Sequence, residues 1–185
     1  DGIGQSLLLI KKALDNTEGI AVENQQMIAA TLQEVRSISQ DLHPFQLEKF
    51  GLTATIIDMM RKVEQSTSLF ITSEIQDIDQ VLDAKSAIHL YRAIQEAFSN
   101  IVKHAEATAA KITIENKADT INVSIRDNGK GFDVELAVAA SKSLGIKTMH
   151  ERIAAIGGKL KIEKGATNGM HILITIPKTI TASKG

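Results

Sequence analysis

The sequence predicts an α+β fold, a helical hairpin followed by a two-layer sandwich in which helices cover one face of a mixed, mostly antiparallel sheet. Three observations carry that reading. Apolar residues from Ile3 to Leu42 recur at spacings of three, four and seven, the signature of amphipathic helices that pack along a seam. Five later segments alternate polar and apolar side chains, the period of half-buried strands. Between those strands lie two longer stretches, Asp83–His104 and Leu144–Ile156, with helical periodicity.

Ile3, Leu7, Ile10 and Leu14 line one face of a first helix. Asp15-Asn16-Thr17-Glu18-Gly19 is a turn cluster. A second helix runs from about Val22 to Leu42, with Ile28, Val35 and Leu42 in heptad register and Thr31 and Ile38 between them, and Pro44 ends it. Such a hairpin has too few apolar faces for a core of its own. It either packs on the rest of the chain or pairs with a second copy into a four-helix bundle. Leu47–Val63 reads as a third helix or a linker helix, with Gly51 inside it. Strands are expected at Leu69–Glu74, Lys111–Glu115, Thr120–Asp127, Lys159–Lys164 and Met170–Pro177. Gly157-Gly158 breaks the helix before the fourth of these. Phe132–Ser143 is small and polar-rich and reads as a mobile loop, and Thr179–Gly185 as a frayed tail. The domain plan is therefore 1–45 hairpin, 46–68 linker and helix, 69–178 sandwich, 179–185 tail. The apolar pattern is already running when the chain opens on Asp1, which reads as a piece of a longer protein.

Composition narrows the function. Of 185 residues, 43% are hydrophobic and 23% charged, which fits a folded domain and excludes long disorder. A net charge of −1 argues against a strongly basic nucleic-acid binder. The absence of Cys excludes disulfide scaffolds and thiolate metal sites. No apolar run approaches the ~18 residues of a membrane span.

Candidate chemistry sits on the helix 83–104. Leu90, Ile94, Ala97, Phe98, Ile101 and Ala105 share one face, while Arg92, Glu96, Asn100, Lys103 and His104 fall on the other. Glu96 and Asn100 are four apart, as are Asn100 and His104. An Asn oxygen is a neutral, hard ligand suited to Mg²⁺, which keeps its waters and takes the rest of its shell from phosphates. Glu96 suits either orienting a metal-bound water or accepting a proton, and Lys103 suits a terminal phosphate. The same row is also what a solvated helix face looks like. Asp127-Asn128-Gly129-Lys130-Gly131-Phe132 follows a strand, and its Gly-x-Gly pair allows backbone to approach a ligand closely. An Asp at the strand end accepts a hydrogen bond from the exocyclic amine of adenine, where guanine carries a carbonyl. Asn-Gly is equally a hairpin signal. Ser143-Leu144-Gly145 opens a helix, whose N-terminus suits an anion or is an ordinary helix start. His43 stands before Pro44 at a helix end, and no pair of the remaining histidines has metal-ligand spacing.

Taken together these segments resemble the sensor histidine kinases. Glu96-Ala97-Phe98-Ser99-Asn100-Ile101-Val102-Lys103-His104 resembles their N box, and Asp127-Asn128-Gly129-Lys130-Gly131-Phe132 their first glycine box. Leu144-Gly145-Ile146-Lys147-Thr148-Met149-His150-Glu151-Arg152-Ile153 with Gly157-Gly158 resembles the second glycine box and the helix after it. Asn168-Gly169 before the last strand resembles the close of the domain. The resemblance implies a Bergerat-type ATPase sandwich, the fold shared with DNA gyrase and the mismatch-repair ATPases. Asp1-Gly2-Ile3-Gly4-Gln5-Ser6-Leu7 resembles a subfamily motif of phosphoacceptor His, acid, two residues, Gly, Gln, one residue and Leu. The acceptor His would stand immediately before Asp1, which would leave this segment without autophosphorylation. Leu42-His43-Pro44, Leu47 and Gly51-Leu52 resemble that subfamily's linker.

By that resemblance, ATP and Mg²⁺ are the ligands. Asn100 ligates the metal, and Glu96 holds a metal water or acts as base. Lys103 and His104 approach the phosphates. Asp127 reads adenine between Gly129 and Gly131, Phe132–Ser143 forms the lid, Gly145 contacts phosphate, and Thr175 lines the adenine pocket. Asp1 helps activate the acceptor His, and Gln5 is implicated in dephosphorylating the regulator. The implied partners are a second copy of the chain in a homodimer and the receiver domain of a response regulator, with no direct nucleic-acid or membrane contact by this segment. The implied location is cytoplasmic, the parent protein anchored in the membrane or not. This chain departs in a shorter first helix and a single Gly in the second glycine box. Two rivals keep the fold: an anti-sigma Ser/Thr kinase, against which the Asp1-Gly4-Gln5 hairpin argues, and a non-catalytic docking module, against which intact Asn100, Asp127 and Gly131 argue.

Overall fold

The chain divides into two compact units, residues 1–45 and 46–185. The computed structural model describes residues 45–131, 144–165 and 168–178. The expected hairpin with Asp1 and Gln5, the loop 132–143 and the tail 179–185 lie outside the described residues.

Helix α1, Phe45–Ser66, is two helical pieces that meet at Gly51, where φ is +83°. Only a residue without Cβ adopts that value readily, and a Cβ here would also lie 2.4 Å from Asp79 Oδ2. The second piece is capped from a distant loop: Thr53 N donates to Asp79 Oδ1 at 2.9 Å, and Ile78 N donates to Thr53 Oγ1 at 3.1 Å. The chain continues through β1 (Phe70–Ile75), α2 (Ala84–Asn100), a π-helical turn (Ile101–Ala105), β2 (Ala109–Asn116), β3 (Thr120–Asp127), α3 (Leu144–Ala154), β4 (Lys159–Lys164) and β5 (Met170–Pro177). Asp83 caps α2 by accepting from Ser86 N at 2.7 Å, a bond that holds its carboxyl below the usual carboxylate range.

The sheet has the order β1-β2-β3-β5-β4. The β1–β2 pair is parallel, because α2 crosses over between those strands; the other three pairs are antiparallel. The two-residue period sends Ala110, Ile112 and Ile114, Ile121, Val123 and Ile125, and Ile172, Ile174 and Ile176 to one face, all buried. They share one hydrophobic cluster with Leu90, Ile94, Ala97 and Phe98 of α2 and Met149 and Ile153 of α3. Burying one such Ile contributes about 1.5–3 kcal/mol. Leu52, Ile56, Met59 and Met60 of α1 belong to the same cluster, so the stretch read as a linker helix supplies core to the sandwich.

The other sheet face is polar. Thr72, Lys111, Arg126, His171 and Glu163 form one cross-strand row, and Ser124 Oγ lies 2.8 Å from His171 Nε2. This is the alternation expected of a sheet with one solvated side.

Candidate functional site

The site grows from the end of β3. Asp127 Oδ1 accepts from Gly129 N at 2.8 Å, and Oδ2 accepts from Met170 N at 3.2 Å. The first bond is an Asx-type turn made by the sequence itself. The second follows from register, since Arg126 pairs with His171 and the next step brings Asp127 to Met170. The carboxylate is half-buried and fixed from two sides. Each oxygen keeps lone-pair capacity for a further donor.

Glycines let three strands of backbone meet here. A Cβ at Gly129 would lie 2.2 Å from the Ala105 carbonyl oxygen. Gly169 has φ +76°, and a Cβ there would lie 2.0 Å from the Asp127 carbonyl oxygen. The turn 127–131 is fastened to the chain leaving the π turn, with Lys130 N donating to Ala105 O at 2.8 Å. Lys130 Nζ and Glu106 Oε1 form an exposed ion pair at 2.6 Å, which holds the Glu106 carboxyl below its ordinary range. Exposed pairs of this kind contribute little to stability.

Asn100 is the last residue of α2, and the π turn follows it directly. Single π turns inside helices are frequent at functional sites. Ile101 and Ala105 anchor this one in the core, while Val102, Lys103 and His104 between them are all exposed. Glu96 lies one turn before Asn100 on α2 and is half-buried. Its Oε1 stands where a Cβ on Gly145, near the start of α3, would come within 2.0 Å.

The structure therefore gathers the predicted residues into two contacting groups, Asp127, Gly129 and Gly131 with the exit of the π turn, and Glu96 with Gly145. Asn100, Lys103 and His104 lie on the segment that joins them. Arg92 departs from the expected polar row. It is buried, with its guanidinium 5.5 Å from the Tyr91 ring centroid and NH1 donating to Gln95 Oε1. A long aliphatic stem and a planar, stackable head make such burial tolerable. Thr175 is not brought to the site. It is exposed on the polar face of β5, paired with Asn122 and Lys159, five residues along the strand from Met170. Strand parity places it on the face opposite the core. Met170 was missed because its contribution is a backbone N–H, which no side chain announces; the antiparallel register with Asp127 is the signal that finds it.

A nucleotide and its metal can be tested against these residues. Among the described residues no group of three His, Cys, Asp or Glu could hold a metal ion. One Asn oxygen with one carboxylate a turn away instead suits Mg²⁺, which needs only one or two protein oxygens when phosphates complete its shell. The fixed Asp127 carboxylate suits an amine donor of a base. The residues present fit both.

Residues 85–180 match the family of histidine kinase-, DNA gyrase B-, and HSP90-like ATPases. The chain is 33% identical over 155 residues to the signal transduction histidine-protein kinase/phosphatase DegS of Brevibacillus brevis, covering 84% of this chain and 40% of that protein. It is 28% identical over 191 residues to the sensor histidine kinase MctS of Rhizobium johnstonii, covering 97% and 41%. It is 30% identical over 153 residues to the sensor protein VraS of Staphylococcus aureus, covering 83% and 43%. The chain thus spans about two-fifths of the length of these relatives. Among solved structures, the histidine kinase domain of the Erythrobacter litoralis EL346 blue-light activated histidine kinase aligns with a TM-score of 0.62 at 11% identity, covering 96% of this chain and 93% of that one. The Acinetobacter baumannii histidine kinase AdeS aligns with a TM-score of 0.60 at 14% identity, covering 96% and 94%. At those identities the likeness is one of fold.

Proposed function

The chain belongs to the histidine kinase-, DNA gyrase B-, and HSP90-like ATPases, and from that premise we propose that it is the catalytic core of a two-component sensor histidine kinase. Residues 1–45 form the dimerisation and phosphotransfer hairpin, 46–185 form the ATP-binding unit with α1 as part of its core, and two copies assemble as a dimer. The parent protein moves the γ-phosphoryl group of ATP to an imidazole nitrogen of a His just before Asp1. An N–P bond forms, the bond to the ADP oxygen breaks, and Glu96 takes the imidazole proton. The phosphoryl group then passes to an Asp of a response-regulator receiver domain, and Gln5 serves its later hydrolysis by orienting water. This segment works on the cytoplasmic side.

The observation that carries the proposal is the Asp127 carboxylate, held by the amides of Gly129 and Met170 with lone pairs to spare. That arrangement supports recognition of the adenine amine. Gly129 and Gly131 keep the surrounding backbone close, and Asn100, Lys103 and His104 serve the phosphate side with Gly145. Asn100 would hold Mg²⁺, with Glu96 one turn away as the base, and the metal would supply charge neutralisation of the phosphates. The rest of the catalysis is positioning and electrostatic stabilisation, as in other phosphoryl transfers.

Calorimetric titration with ATP and GTP, each with Mg²⁺, tests the reading on the chain and on its Asp127→Asn variant. Saturable ATP binding, much weaker GTP binding and loss of ATP affinity in the variant are expected. Far-UV circular dichroism checks that the variant folds. Equal affinity for both nucleotides, or saturable binding of neither, overturns it.

A further inference from the structure

Asn128 lies between Asp127 and Gly129 and has no part in the chemistry above. Its side chain nevertheless makes three hydrogen bonds to one short segment. Asn128 Oδ1 accepts from Thr108 N at 3.0 Å and from Ala109 N at 2.9 Å, and Nδ2 donates to Thr108 Oγ1 at 2.9 Å. Its backbone N–H adds a fourth bond to the Ala109 carbonyl at 3.2 Å. Two residues on, Lys130 N donates to Ala105 O. The turn that carries Asp127 is therefore fastened at both ends of residues 105–109, the segment that leaves the π turn bearing Lys103 and His104.

We propose that Asn128 is a positioning residue that fixes the spacing between the base-reading end of the site, Asp127, and its phosphate-side end, Lys103 and His104. The inference rests on the nucleotide reading and deepens it. A ligand that spans both ends gains when their separation is set before it arrives, because no ordering remains to be done on binding. A ligand that touches only Asp127 gains almost nothing. Asn128 is exposed, so in an Asn128→Ala variant water satisfies the amides of Thr108 and Ala109 and the fold survives. The backbone bonds from Asn128 N to Ala109 O and from Lys130 N to Ala105 O remain, and what disappears is the side-chain share of the fastening, so the spacing is held less tightly.

Calorimetry of the chain with Mg²⁺-ATP and with adenosine tests this, using Asn128→Ala and, as a graded variant that removes only the Nδ2 acceptor, Thr108→Val. The expected result for Asn128→Ala is about a tenfold loss of ATP affinity, equivalent to one or two hydrogen bonds, with adenosine affinity changed less than about threefold. Thr108→Val should show a smaller loss with the same selectivity, and it stands alone if Asn128→Ala fails to fold. Equal losses for the two ligands, or no loss for either, overturn the positioning role while leaving ATP binding by the unaltered chain intact. Saturable binding of neither ligand by the unaltered chain overturns the nucleotide reading and this inference with it.

Discussion

A methyl group on Gly145 would lie 2.0 Å from Glu96 Oε1. The start of α3 and the carboxylate of α2 therefore touch at a point where only a hydrogen fits. The obstacle is the far end of a flexible side chain, so a Gly145→Ala variant keeps its fold by pushing the Glu96 carboxylate aside. On the proposed function this displaces the proton acceptor. The expected outcome is a melting temperature within a few degrees of the parent, with phosphoryl transfer reduced about 10²-fold or more, in line with typical acid–base contributions. The activity measurement uses a longer chain that carries the proposed acceptor His.

Gly129→Ala meets the opposite kind of obstacle. Its Cβ would lie 2.2 Å from the carbonyl oxygen of Ala105, a backbone atom at the end of the π turn that the core holds in place. Strain of about 1–3 kcal/mol is expected, the range for forcing atoms into packed structure. Chemical denaturation should show lower stability, and calorimetry should show weaker ATP binding, because the same shift moves the turn that holds Asp127. The contrast between the two glycine variants separates functional contact from structural contact.

How legible these relations were differs by residue. Strands with isoleucines at alternate positions, such as Ile121, Val123 and Ile125, announce both their type and their buried face. Asp127 with its two glycines announces a turn, and the bond from Gly129 N to Asp127 Oδ1 closes it. Less legible was anything decided by pairing. The amide of Met170 reaches Asp127 through register, and the Asn128 bonds to Thr108 and Ala109 join positions about twenty residues apart. Arg92 was misplaced because helical periodicity counts charge as exposure, whereas its stem and ring contact let it go inside. The position of Thr175 beyond the site is a matter of strand parity, readable once the inward face of β5 is fixed by Ile172, Ile174 and Ile176.

The role of α1 in the core leads to a third expectation. Ile56 is fully buried and clusters with the sheet and α2 residues. Ile56→Ala should destabilise the unit by about 2–5 kcal/mol, the cost of a deleted core side chain and its cavity. A piece beginning at Leu69 should lose far more than one beginning at Gln46, since it forfeits Leu52, Ile56, Met59 and Met60 together. Thermal melts of the two pieces decide this. Equal melting temperatures would mean that α1 lies against the sandwich without stabilising it.

The last expectation concerns acid. His171 lies half-buried on the polar sheet face, against Ser124 Oγ and between Arg126 and Glu163. Burial first, and then the Arg126 charge, push its pKa below the ordinary 6.5, with Glu163 opposing them. Burial likewise pushes His89 down, helped by Arg152 and Lys85 and opposed by Asp83. A histidine that is harder to protonate when folded binds more protons in the unfolded chain, so stability rises with pH through the interval between the two pKa values. Its contribution is complete above 6.5 and is lost as pH falls toward the depressed folded value. The melting temperature should therefore drop between about pH 7 and pH 5. In His171→Gln, which keeps a polar group beside Ser124 but cannot titrate, that drop should be smaller. Thermal melts of both proteins at several pH values check it, and parallel curves would remove His171 as a source of the acid sensitivity.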